Sequence, residues 1–251
     1  MSESSPLQNE HVIFTGVNRS EEAAALTASL GGVPILAPFI ATKEIIQTDD
    51  KDKLLNSNAF KWFIFTSQAS VAAFHQKILR NNLEIEYFQV KIAAVGSRTA
   101  SALEQLGFSI DFMPSVFSAD VFIREFPQVA APEESCLFFR GNLAKKTIVD
   151  GLVNPVDEWT VYETVTLEDN VEKVKEMLNS GKNCSVVFTS PSTVNAFHQT
   201  IGKDLGYHGF TVCAIGHVTK NHLKSLGITA QVMPRTYTLT EVVYALAQWK
   251  G

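Results

Sequence analysis

The stretch Phe65-Thr66-Ser67-Gln68-Ala69-Ser70-Val71-Ala72-Ala73-Phe74-His75-Gln76 returns as Phe188-Thr189-Ser190-Pro191-Ser192-Thr193-Val194-Asn195-Ala196-Phe197-His198-Gln199. The two copies are identical at eight of twelve positions and lie 123 residues apart. Each follows an apolar run, Trp62 to Phe65 or Val186 to Phe188, and precedes apolar residues at helical spacing: Val71, Phe74 and Ile78, then Val194, Phe197 and Ile201. This pattern predicts a buried strand, a hydroxyl-rich turn and an amphipathic helix. The Thr-Ser pair falls where strand hands over to helix. Unpaired backbone N–H groups and the positive end of the helix dipole collect there. Such a turn receives anions, and the chain carries it twice.

A second correspondence follows each copy. Ala94-Val95-Gly96-Ser97-Arg98-Thr99 matches Ala214-Ile215-Gly216-His217-Val218-Thr219, and Leu103, Leu106-Gly107 and Met113-Pro114 recur as Leu223, Leu226-Gly227 and Met233-Pro234, all displaced by 120 residues. A period of that length is a duplicated domain rather than a solenoid repeat. The first unit continues through Ser109 to Met113, read as a strand, a short helix capped by Ser118, the strand Ser135 to Arg140, Gly141-Asn142, and a helix to about Leu152. The second unit ends after the helix beginning near Thr240 and lacks that strand–Gly–helix piece. Val12-Ile13-Phe14-Thr15-Gly16 at the N-terminus, with Ser20 capping the helix after it, supplies the missing piece.

The reading is therefore an α/β protein of two parallel-sheet domains. One is discontinuous, residues 1–38 plus 167–251, and the other, 42–160, is inserted into it. Residues 33–41 and 157–166 are the connectors, expected to run side by side as a two-stranded ribbon. Pro34 and Pro38 suit residues 33–40 to an edge or connecting strand. Alternating strands and helices imply parallel sheets covered on both faces, with ligands beyond the carboxyl ends of the strands. Two such sheets would face a common cleft.

Bulk properties narrow the function. At 251 residues each half can bury a core, and 45% hydrophobic with 19% charged residues is ordinary globular composition. A net charge of −5 argues against a nucleic-acid footprint. The polar first ten residues read as no secretory signal and no apolar run reaches membrane-spanning length, so a cytoplasmic protein is expected. Cys136, Cys184 and Cys213 sit in or beside predicted strands and read as reduced core residues. The six histidines lack metal-ligand spacing, and the chain has no Gly-rich dinucleotide fingerprint or phosphate loop. No metal and no cofactor are expected.

What remains are six strand-end turns: Thr15-Gly16; Thr66-Ser67 with Gln68; Gly96-Ser97-Arg98-Thr99; Arg140-Gly141-Asn142; Thr189-Ser190-Pro191-Ser192; and Gly216-His217-Val218-Thr219. Plain helix capping accounts for any one of them equally well. Together they describe a surface of neutral donors suited to carboxylates or phosphates. Tyr162 differs in kind, since it stands on a connector and its phenol donates a hydrogen bond or proton without titrating at neutral pH.

The combination of Phe65-Thr66-Ser67, Ala94-Val95-Gly96 with Thr99, Arg140-Gly141-Asn142, Val161-Tyr162-Glu163-Thr164, Phe188-Thr189-Ser190-Pro191-Ser192 and Ile215-Gly216 with Thr219 resembles the uroporphyrinogen-III synthase family over essentially the whole chain. The resemblance implies two flavodoxin-like domains joined by a β-ribbon. It implies a cofactor-free cyclisation of hydroxymethylbilane, a polycarboxylate tetrapyrrole, with inversion of the last pyrrole ring. The course would be hydroxyl loss to an azafulvene, attack to a spiro intermediate, then fragmentation and reclosure. The donor turns would hold acetate and propionate groups, and Tyr162 would donate a proton to the departing hydroxyl. A monomer is implied, with a transient contact to the enzyme that makes the bilane left open. Gly16 stands where the family often has Arg, and His217-Val218 replaces a more usual Pro-Thr pair. The competing expectation is a two-lobed, non-enzymic sensor of an anionic small molecule, which would use the same turns without needing Tyr162.

Overall fold

The structure, a computed structural model, describes residues 5–16 and 20–251. The chain opens with β1 (His11–Phe14) and α1 (Ser20–Ser29), whose Glu21 and Glu22 lie at the positive end of the helix dipole. Ser20, read as a cap, is itself helical, and the positions just before it fall outside the described residues. Next come β2 (Val33–Leu36), β3 (Ile40–Glu44), α2 (Asp50–Asn56), β4 (Trp62–Phe65) and α3 (Gln68–Arg80). Then follow β5 (Lys91–Ala94), α4 (Ser97–Gln105), α5 (Ala119–Glu125), β6 (Cys136–Gly141) and α6 (Thr147–Gly151). The long β7 (Val156–Thr166) leads to α7 (Glu168–Asn179), β8 (Cys184–Phe188) and α8 (Pro191–Phe197). A π-helical turn, His198–Gly202, carries α8 into α9 (Lys203–Leu205). The chain ends with β9 (Thr211–Ala214), α10 (His217–Ser225) and α11 (Leu239–Lys250).

Two compact units result: residues 1–41 with 165–251, and residues 42–164. The first holds a sheet of order β2-β1-β8-β9, all parallel. Its inner strands are buried on both faces, which is what near-continuous apolar runs such as Val186-Val187-Phe188 require. Ile13, Val186, Phe188 and Val212 pack on one side with Val174 of α7, Phe197 of α8 and Leu223 of α10. Val12, Phe14, Val187 and Cys213 pack on the other with Ala23 of α1 and Val242, Val243 and Leu246 of α11. Edge strand β2 carries Pro34, which has no N–H to leave unpaired.

The second unit holds a sheet of order β3-β7-β6-β4-β5, with β7, β6, β4 and β5 parallel. Phe63, Phe65, Phe139, Trp159 and Val161 face α3 and α4. Trp62, Ile64, Cys136 and Phe138 face α5 and α6. The α3 side is an aromatic stack: Phe65 and Phe139 lie parallel with centroids 4.6 Å apart, and Phe74 packs 4.6 Å from Phe139.

Several expectations change in detail. Residues 33–41 do more than connect, because Val33–Leu36 is a sheet strand in its own right. Residues 157–166 likewise begin inside the sheet, where Val156 to Thr160 pair in register with Cys136 to Arg140. Ser109 to Met113 forms a single bridge, Phe112 to Ala93, rather than a strand. The carboxylate of Asp111 accepts the Ile92 N–H at 2.8 Å, so a side chain takes one rung of the ladder. The helix expected to follow Asn142 is confined to Thr147–Gly151, since Ala144 N–H closes a turn on Gly141 O. The three cysteines are buried and unpaired. Burial pushes the Cys136 thiol up to about 12, and raises Cys184 and Cys213 as well.

Candidate functional site: the carboxyl-end turns

In the second unit the carboxyl ends of β7, β6, β4 and β5 lie side by side, so their turns line one edge of the sheet. Thr66 and Ser67 are half-buried there, and Gln68 is exposed as the first residue of α3. Ser67 Oγ accepts the Ser70 N–H at 3.1 Å, which makes it the N-cap of α3. The same hydroxyl stands 3.3 Å from the Tyr162 hydroxyl.

A one-residue irregularity in β7 brings Tyr162 there. Arg140 pairs with Thr160, but Gly141 pairs with Tyr162, leaving Val161 as the extra residue. Regular alternation would send Tyr162 to the face opposite Val161. The bulge reverses this, and both residues pack on the cluster that backs α3. Gly141 completes the arrangement because it has no side chain to displace the phenol ring. Asn142 donates its N–H to Tyr162 O at 3.1 Å and accepts the Thr164 N–H on Oδ1 at 3.0 Å, pinning the strand on the carboxyl side of the tyrosine.

Arg140, expected as a carboxylate donor, has its guanidinium committed within the fold to the Glu158 carboxylate and to Ala144 O. It braces the 141–144 turn. Gly96 is the N-cap of α4 in an extended conformation; Ser97 and Arg98 are exposed in the first helical turn, and Thr99 is buried behind them. Arg98 makes no hydrogen bond or ion pair among the described residues, so its cation stands free at this edge.

In the first unit the equivalent edge carries the ends of β1, β8 and β9. Thr15 is fully buried and donates its hydroxyl to Val187 O at 2.7 Å, which makes it an internal latch. Gly16 lies against Thr189, whose Oγ1 would sit 2.6 Å from a Cβ at position 16. Ser190 and Thr193 form a reciprocal capping box at the start of α8, with Pro191 in its first turn, and Ser192 Oγ is 2.9 Å from Ser190 Oγ. Gly216 caps α10; His217 is exposed with Nδ1 3.1 Å from the Tyr237 hydroxyl, and Thr219 is buried. At the starts of α4 and α10 the cap is a glycine, so the first-turn N–H groups receive no side-chain oxygen from it.

Two surface cavities, of about 370 and 290 Å³, share no residue with these turns. Among the described residues no cluster of three or more His, Cys, Asp or Glu is arranged to hold a metal ion, and no helix is long and apolar enough to cross a membrane. Sequence reasoning missed the Gly141–Tyr162 contact and the aromatic residues beside the Gly96 and Gly216 turns. The shared 120-residue displacement of Phe117 and Tyr237 was the signal available for the latter.

The family model for "Uroporphyrinogen-III synthase HemD" matches residues 21–243. A uroporphyrinogen-III synthase of Chlorobaculum parvum is 31% identical over 200 residues, covering 75% of this chain and 79% of that protein. A mutant uroporphyrinogen III synthase of Thermus thermophilus superposes with a TM-score of 0.72 at 17% identity, covering 96% of this chain and 99% of the other. The Helicobacter pylori 26695 uroporphyrinogen-III synthetase gives 0.61 at 16% identity with the same coverage. These structures share the α/β fold, and the family match spans the strand-end turns other than Thr15-Gly16, which precede residue 21. The chain belongs to the uroporphyrinogen-III synthase family.

Proposed function

We propose that the chain closes hydroxymethylbilane to uroporphyrinogen III with inversion of the last pyrrole ring, a step of porphyrin and haem biosynthesis. Family membership supports the reaction class. The observation that carries the chemistry is the Tyr162 hydroxyl, held 3.3 Å from Ser67 Oγ at an edge lined with backbone donors. In this reading Tyr162 gives its proton to the bilane hydroxyl, which leaves as water and opens the azafulvene. The substituted carbon of the last ring attacks to form the spiro intermediate, which fragments and recloses with that ring inverted. The turns at Thr66-Ser67-Gln68, Gly96 to Thr99, Thr189 to Ser192 and Gly216 to Thr219 take the acetate and propionate groups, largely through N–H groups. The task is positioning, because an unguided bilane closes without inversion. A non-enzymic sensor would account for the turns but not for membership of an enzyme family.

We also infer that the two units are flavodoxin-like copies of one plan, joined by a ribbon of residues from 39–45 and 161–167. The orders β2-β1-β8-β9 and β7-β6-β4-β5 support this, since they coincide strand for strand once β8 is laid on β4. For the ribbon, Phe39 O accepts the Leu167 N–H and Ile45 N–H donates to Val161 O, an antiparallel pattern. Purified protein given enzymically generated hydroxymethylbilane should return the type III isomer. Type I alone, at the rate of the protein-free control, would overturn the assignment.

A further inference from the structure

We propose that Phe117 and Tyr237 are substrate-contacting residues, each presenting an aromatic face to a pyrrole ring beside the glycine turn that takes that ring's carboxylates. The proposal rests on the bilane-cyclising reading above. Both side chains are large and half in solvent, at 56% and 50% exposure, so a ring face is open to a ligand in each unit.

Their placement is built twice in the same way. In the second unit the bridge from Phe112 to Ala93 lays residues 109–113 parallel to β5, so the chain emerges at the carboxyl end of the sheet. In the first unit the bridge from Val232 to Cys213 does the same beside β9. Beyond each bridge runs Met-Pro, two further residues, an aromatic residue and a hydroxyl residue: Met113 to Ser118 in one unit and Met233 to Thr238 in the other. Ser118 N–H bonds Val116 O at 2.7 Å, and Thr238 N–H bonds Thr236 O at 2.9 Å. Each aromatic residue is therefore the centre of a three-residue γ-type turn, a fixed tip rather than a loose loop. The next hydroxyl then caps a helix, Ser118 accepting the Val121 N–H and Thr238 accepting the Glu241 N–H.

Each tip lies beside the glycine that opens a donor turn. A Cβ built on Gly96 would lie 3.9 Å from Phe117 Cβ, and one on Gly216 would lie 2.9 Å from Tyr237 Cγ. An aromatic ring beside a helix start whose first N–H groups have no side-chain cap is a matched pair for one kind of ligand fragment, a flat, electron-rich ring bearing carboxylates. A pyrrole with acetate and propionate arms is such a fragment.

The test compares Phe117→Ser, Tyr237→Ser and Tyr237→Phe with the wild type, reading KM and kcat for enzymically supplied hydroxymethylbilane, the type III to type I ratio, and Tm. Loss of an aromatic face that holds substrate and transition state alike raises KM and spares kcat. Each serine variant is expected to raise KM about tenfold, equivalent to about 1.4 kcal/mol. Tyr237→Phe keeps the ring face and gives up only the hydroxyl's contact with His217 Nδ1, so it should lose far less than Tyr237→Ser. Should a serine variant unfold, Phe117→Leu and Tyr237→Leu retain packing volume on the glycine and remove the aromatic face; a severalfold rise in KM at unchanged Tm is then expected. A folded serine or leucine variant with wild-type KM overturns the assignment. A wild-type protein that forms no type III isomer overturns the underlying reading instead, so the two failures are told apart.

Discussion

The ring of Tyr162 fills the space that a side chain at position 141 would occupy. A Cβ on Gly141 would lie 2.4 Å from Tyr162 Cζ and 2.7 Å from its hydroxyl oxygen. The two residues are paired across β6 and β7 by the register shift that puts Tyr162 on the α3 side. Glycine is needed here for room, not for backbone freedom, since Gly141 does not adopt a positive φ. Gly141→Ala should therefore push the phenol off Ser67 and lower kcat by nearly as much as loss of the hydroxyl itself. Adding Gly141→Ala to Tyr162→Phe should cost little more, because both remove one proton-donor geometry. Additive losses in that double-mutant cycle would mean that Gly141 acts elsewhere.

Ser190 separates the capping duty of a donor turn from its ligand duty. Its hydroxyl accepts the Thr193 N–H, so Ser190→Ala should lower stability by about 1 kcal/mol, the usual worth of such a cap. Aspartate caps a helix as well as serine does but brings a negative charge to the turn. Ser190→Asp is thus expected to keep Tm and raise KM for the bilane severalfold, and added salt should shrink that penalty. If Ser190→Asp leaves KM unchanged at low ionic strength, no substrate carboxylate docks at this turn.

Much of this was legible in the residues. Phe65-Thr66-Ser67 and Phe188-Thr189-Ser190 announce strand, cap and helix because apolar runs and capping hydroxyls are local signals. The 120-residue displacement identifies Gly96 and Gly216 as equivalent turns. What stayed hidden depends on contacts between distant residues. Nothing local in Val161-Tyr162 marks a bulge, because the extra residue exists only relative to β6. Arg140 reads as a free cation until Glu158 is brought beside it. Ser109 to Met113 has strand composition, yet the Asp111 carboxylate takes the rung at Ile92.

Lys77 is the strongest such case. Four residues after the buried Ala73 on α3, it is fully buried although it carries a charge. Its ammonium donates to Asp50 Oδ2 at 2.7 Å and Ile45 O at 2.5 Å, lies 3.5 Å from Glu44 Oε1, and stands 5.4 Å from the Trp159 ring centre. Arg80 donates to the other oxygen of Glu44 and lies 3.6 Å from Asp50 Oδ2, while Asp50 Oδ1 and Glu44 Oε1 are buried without a hydrogen-bond partner, so Lys77 is the fully buried cation of a four-residue cluster and the one that hydrogen-bonds Asp50. Lys77→Met should therefore cost about 3–5 kcal/mol in urea unfolding, the penalty for stranding a buried charge. Removing the partner too, as Lys77→Met with Asp50→Leu, should recover part of it. A loss below about 1 kcal/mol in the single variant would mean that Arg80 and solvent suffice to neutralise the carboxylates.

Tyr162→Phe tests the chemistry most directly. The change keeps the ring, and with it the packing on Gly141 and on the α3-side core, and removes only the oxygen that stands 3.3 Å from Ser67 Oγ. A contact that long between two neutral hydroxyls contributes at most about 1 kcal/mol to the fold. Tm should therefore shift by only a few degrees. Proton donation to the leaving hydroxyl belongs to the transition state, so its loss should fall on kcat, by about 10²-fold, at the lower end for general acid catalysis. KM should hold, because the carboxylate-receiving turns are untouched. Complete inactivation is not expected, since water reaching the half-buried position 162 can protonate the leaving group in part. Slow turnover also lets the spontaneous type I product accumulate, so initial rates of type III formation at early times are the measurement that decides. A phenylalanine variant with wild-type initial rate would reduce Tyr162 to a packing residue and leave positioning by the turns as the whole of the catalysis.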